Sequence, residues 1–128
     1  MAHAEAVSPL SEHDVRRGVP VTTVATVASA LDLPVATILD WLSISPRTWA
    51  RRKQTGVLDV LESDRLARLT RLLRRAGRLL GGAAAARVWL TTPQPALQRR
   101  TPFAVAATEV GAESVFNLLG RIEHGVFS

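Results

Sequence analysis

Nine residues beginning at Ser45, SPRTWARRK, gather side chains suited to holding a polyanion. A guanidinium can meet the two acceptors of a guanine edge with parallel hydrogen bonds, or it can clamp a phosphate. If the stretch is a helix that enters a DNA major groove N-terminus first, then Ser45, Arg47 and Thr48 lead. Arg47 would then read a base or hold a phosphate. Arg51, Arg52 and Lys53 lie further along, where backbone phosphates are the expected partners. Trp49 is read as the core-facing aromatic of the helix. Neutralising about five phosphates would make log affinity fall with log salt at a slope near −4 to −5. The competing reading is a helical pair that only packs, with a basic edge in water. Spacing alone leaves both open.

Catalysis finds little to work with. The chain has no cysteine and no tyrosine, so disulfides and thiolate metal sites are excluded. His3, His13 and His124 share no helical face at metal-ligand spacing. Gly81 and Gly82 are not followed by the Lys-Ser/Thr of a phosphate loop. Glu109 and Glu113 sit four apart, but Gly111 lies between them. The expectation is a protein that is not an enzyme and holds no cofactor or metal.

The elements that must position the basic stretch are helical. Val24, Val27, Ala28 and Leu31 make one apolar face, and Val35, Ile38, Leu39 and Leu42 make the next. After the break SIS, Ser45 is an N-cap, Pro46 suits the first helical position, and Gly56 stands where a stop is wanted. Residues 33–42 and 46–53 thus form a helix-turn-helix pair. Ser63 is read as the cap of a following helix, with a leucine stripe from Leu66 to Leu80 and arginines opposite. AAAARVWL is a short helix closed by TTPQP. Thr101 and Pro102 open another, which Gly111 closes, and residues 112–122 form the last. No segment alternates long enough for a strand, so the chain reads as all-α, with about six or seven helices.

The net charge is +5, and Lys53 is the sole lysine. Placement says more than the sum. Between Asp64 and Glu109 there is no acid, yet the interval holds Arg65, Arg68, Arg71, Arg74, Arg75, Arg78, Arg87, Arg99 and Arg100. Such asymmetry points to a polyanion or an acidic protein surface, or else reflects arginine usage with solvated side chains. The N-terminus carries acids and lacks an apolar core, so it is not read as a signal peptide. No apolar run is long enough for a bilayer. The expected location is cytoplasmic, with no membrane partner.

The order of motifs resembles the antitoxins of RES–Xre toxin–antitoxin systems, the Xre/MbcA/ParS family (ParS-like). The resemblance runs from LDLPVATILDWLSISPRTWARR through LESDRLARL to AARVWLTTPQPAL and RTPFAVAATEVGAESVFNLLGRIEHGVFS, about residues 20–128. It implies an Xre-like helix-turn-helix region followed by a helical toxin-binding domain. The divisions are a flexible arm over 1–18, a helix-turn-helix and dimerisation region over 19–62, and a toxin-binding domain over 63–128. The implied partner is a RES-domain toxin that consumes NAD, by degrading it or by ADP-ribosylating a target protein. The resemblance also implies a homodimer within a toxin–antitoxin hetero-oligomer, obstruction of the toxin's active site by the antitoxin's C-terminal end, and binding of the operon's own promoter DNA. In this family the helix-turn-helix region sometimes serves dimerisation instead. The alternative is a stand-alone helix-turn-helix repressor.

The chain's last residues suit the implied task. Gly125 permits a turn off the helix axis. Val126 and Phe127 then offer apolar surface, and the Ser128 carboxylate could meet the cations of a dinucleotide pocket. Arg121, Glu123 and His124 would make rim contacts. The other use open to Phe127 is to cap the chain's own core; burial in either place is worth about 1.5–3 kcal/mol. Trp89 is read as core or interface, with toxin contact as its functional role, and Trp41 as core or dimer interface. The arginine face of the leucine-striped helix admits DNA, an acidic toxin face or solvent.

Overall fold

A computed structural model describes residues 7–125. Its helices are α1 (Glu12–Arg17), α2 (Thr22–Leu31), α3 (Val35–Trp41), α4 (Pro46–Thr55), α5 (Val60–Leu80), α6 (Ala83–Leu90), α7 (Pro102–Val105) and α8 (Glu109–Glu123). A 3-10 turn, Pro95–Leu97, separates α6 from α7. The only extended pairing among the described residues is two isolated bridges, Pro20 with Val57 and Gln94 with Arg100. The all-α expectation therefore holds. Among the described residues no single helix is long and apolar enough to cross a membrane.

The chain forms two compact units that divide after Arg71, within α5. In the first, α2 packs on α3, the two helices meeting at 105°. Val24, Val27, Leu31, Ile38, Leu42 and Leu66 are essentially without solvent exposure. The turn after α3 places Ser43 in the left-handed region (φ 60°) and drives Ile44 into the core. Its N–H donates to the Leu39 carbonyl at 2.9 Å. Trp41 is core, with the Arg68 guanidinium 5.5 Å from its ring centroid, a cation–π distance.

Two expectations about this unit are corrected. The expected loose arm contains α1, because Ser11 and Asp14 form a capping box that needs no apolar face. The helix expected to start at Ser63 begins at Val60 instead. Asp59 and Glu62 cap it reciprocally: the Glu62 N–H donates to Asp59 Oδ1 at 2.7 Å and the Asp59 N–H to Glu62 Oε1 at 3.0 Å. Ser63 is fully buried, and its Oγ accepts from the Val19 N–H at 2.9 Å.

In the second unit α7 packs on both α6 and α8, around Leu90, Val105, Ala106, Val115 and Leu119. Gly111 does not close α7, as the sequence implied. It lies inside α8, whose N-cap is Thr108. A Cβ at Gly111 would fall 1.8 Å from the Val105 carbonyl oxygen, so only glycine lets α8 start this close to α7.

Candidate functional site

The basic stretch is a helix with the expected ends. Ser45 caps α4, its Oγ accepting from the Thr48 N–H at 3.1 Å, and the same hydroxyl donates to Thr48 Oγ1 at 3.1 Å. Pro46 is the first helical residue, and the Gly56 N–H closes the last turn on the Arg52 carbonyl at 2.7 Å. No residue of α4 is fully buried; Thr48, Trp49 and Arg52 are half-buried.

Arg52 supplies the tie. Its Nε donates to Glu62 Oε1 at 2.7 Å and its Nη2 to Glu62 Oε2 at 3.1 Å. The same Nη2 donates to Asp59 Oδ2 at 3.1 Å. A fork on a nearly buried carboxylate fixes orientation as well as position. The Glu62 hydrogen bonds hold Arg52 above its already high value, against some desolvation. At Glu62, burial pushes the carboxyl up, but hydrogen bonds from Arg52 and the Asp59 backbone, with the charge of Arg52, outweigh it and leave the group below its ordinary value. In the same unit the Arg65 Nη1 donates to the Leu42 carbonyl at 3.3 Å, tying α5 to the end of α3.

The site residues divide accordingly. Arg47, Arg51 and Lys53 are exposed, with Ala50 and Gln54 exposed beside them. Arg47, Ala50, Arg51 and Gln54 follow the i, i+3, i+4, i+7 spacing of one helical face. Lys53 leans on Trp49, its Nζ 5.9 Å from the ring centroid. Trp49, expected to face the core, is half-buried. Arg52, expected on a phosphate, is engaged by two carboxylates. The sequence signal for its partners is the Asp59-x-x-Glu62 capping pattern, which the neighbouring Ser63 obscures.

The second unit carries the remaining candidates. Trp89 is half-buried and lines an open concavity of about 600 Å³ with Leu80, Ala84, Val88 and Gln94. Arg121 is exposed at the last turn of α8. Glu123 pairs with Arg75 at 3.2 Å. His124 is the C-cap and is exposed, and Gly125 follows with φ 74°. Val126, Phe127 and Ser128 lie outside the described residues.

Comparison with known proteins assigns both units. A family model described as the antitoxin Xre-like helix-turn-helix domain matches residues 11–71. A second, the antitoxin Xre/MbcA/ParS C-terminal toxin-binding domain, matches residues 75–125. An Antitoxin Xre of Yersinia enterocolitica is 36% identical over 116 residues, 89% of this chain and 78% of that protein. An Antitoxin Xre of Photorhabdus laumondii is 35% identical over 116 residues, with the same coverage. A helix-turn-helix unit followed by a toxin-binding unit is the two-part build of an antitoxin of a toxin–antitoxin system, not of an enzyme. The chain belongs to the Xre/MbcA/ParS antitoxin family.

Proposed function

We propose that the chain neutralises a RES-domain toxin that consumes NAD, by stoichiometric binding in the cytoplasm, with residues 121–128 obstructing the toxin's active-site entrance. The observation that carries this reading is the end of α8. Val115, Leu118 and Leu119 are buried along the helix, and Arg75 holds Glu123. The chain then turns at Gly125, whose φ of 74° suits glycine. A helix held firmly up to a glycine turn is suited to present a plug. Arg121 and His124, both exposed, are the rim groups in this reading.

The first unit would repress the operon as a homodimer within the toxin–antitoxin complex. Arg47 and Arg51 meet DNA directly, with Ser45 and Thr48 at the leading end of α4 and Lys53 on its flank. Arg52 holds α4 at the angle the groove requires, a positioning role set by its pairing with Glu62.

The test is co-expression with the product of the adjacent gene, comparing the full chain with one ending at Arg121. Growth, cellular NAD and co-purification are the readouts. The expected result is rescue by the full chain, and binding without rescue by the shortened one. If neither chain binds that product and the protein only retards promoter DNA, a stand-alone repressor is the better description.

A further inference from the structure

α6 has two apolar faces and little polar surface. Ala86 and Leu90, one turn apart, are buried, yet on the opposite side Ala84 is exposed and Val88 is 57% exposed. Arg87 is the helix's sole polar residue. A helix apolar all round belongs in an interior. Its outer face, with Leu80 and Trp89, forms the open concavity of about 600 Å³, whose polar lining is Thr92 and Gln94.

Gln94 makes one corner of this groove. Its side-chain amide donates to the carbonyls of Trp89 at 3.3 Å and Thr92 at 3.0 Å. Its backbone carbonyl accepts from the Arg99 N–H at 2.9 Å, and its N–H donates to the Arg100 carbonyl at 3.1 Å. The turn between them holds Gln98 and Arg99 in the left-handed region, φ 57° and 65°. Consecutive non-glycine residues adopt that conformation only at an energetic cost. The result is two exposed arginines, Arg99 and Arg100, set at the corner of an apolar groove.

We propose that this groove seats an apolar segment of the toxin partner flanked by carboxylates. The inference rests on the toxin-neutralising reading above and adds the surface and the chemistry of the segment it takes. Charge decides between possible occupants. A second copy docked through the same face would bring Arg99 and Arg100 towards their own symmetry mates, and none of the residues lining the groove is acidic. Nucleic acid would satisfy the arginines but leave Ala84 and Val88 against phosphate and water. A partner with apolar anchors and adjacent Asp or Glu satisfies both halves, with apolar burial supplying affinity and the arginines supplying register and on-rate.

The experiment measures binding of the adjacent gene's product to the full-length chain by calorimetry, across a salt series. Val88→Glu is compared with the double change Arg99→Glu, Arg100→Glu, and circular dichroism verifies folding. Expected are a loss of about tenfold or more in affinity for Val88→Glu, and a weaker, less salt-sensitive complex for the double variant. Should Val88→Glu fail to fold, Val88→Ala and the exposed arginine pair carry the comparison. If the unaltered chain binds and both variants bind as it does, the groove assignment is overturned while the antitoxin reading stands. If the unaltered chain does not bind, both fall together. If Val88→Glu instead dissociates a self-dimer in sedimentation and leaves toxin affinity unchanged, the occupant is a second copy and the proposal is overturned.

Discussion

Arg52 grips Glu62 through two hydrogen bonds, Nε to Oε1 at 2.7 Å and Nη2 to Oε2 at 3.1 Å, across ten residues of chain. The carboxylate is also half of the cap that starts α5. One side chain thus begins one helix and fastens another.

Glu62→Ala should therefore destabilise the first unit by about 2–3 kcal/mol, since charge-assisted hydrogen bonds and a helix cap are lost together. The drop is read as a lower thermal midpoint. Arg52→Lys should also lower it, by less, because an ammonium cannot reproduce the fork. An unchanged midpoint for both variants would mean that α4 is held by something else.

The same pair sets a pH dependence. Glu62 lies below its ordinary carboxylate value in the folded state, so its contribution is fully present above the unfolded value, about 4.3. It is lost as pH falls through the lowered folded value. Denaturant titrations from pH 7 to 3 should show the native chain losing stability faster than Glu62→Gln, the two curves converging in acid.

Gly111→Ala should destabilise by about 2 kcal/mol or more, because the new methyl would meet the Val105 carbonyl at 1.8 Å and one of the two helices must move. Toxin binding should weaken with it, while promoter binding by the first unit should change little. Thermal denaturation and the two binding assays distinguish these effects.

On DNA, Arg47→Ala and Arg51→Ala should each weaken promoter binding and make the salt slope shallower by about one for every phosphate no longer neutralised. If Arg47 reads a guanine edge, its loss should also relax preference at one base pair, by about 1–3 kcal/mol. Fluorescence anisotropy on a promoter fragment and its single-base variants measures both. Slopes unchanged in either variant would remove α4 from the DNA interface.

Much of this build was legible in the residues, for local reasons. Ser45, Pro46 and Gly56 bound α4 because caps act within one turn, and the stripes of α2 and α3 follow from burial on one face. α1 escaped notice because Ser11 and Asp14 stabilise it without any periodic apolar face. Ser63 misled because a serine before an acid looks like a cap; its burial against the Val19 N–H is a tertiary fact. The cations of α4 were readable as a set, but the engagement of Arg52 was not, since its partners lie in the next helix. Likewise the groove beside Trp89 needs α5, α6 and the turn at Gln94 brought together.

α4 has no fully buried residue, and Arg52 fastens it to Asp59 and Glu62. Its outward positions, Arg47, Ala50, Arg51 and Gln54, carry no structural duty. Mutation can exchange them freely without unfolding the domain beneath. If α4 meets DNA through these positions, as proposed, a lineage carrying several such operons could give each its own operator by altering them, and so keep neighbouring circuits from cross-talk while the toxin-facing unit evolves separately with its own partner.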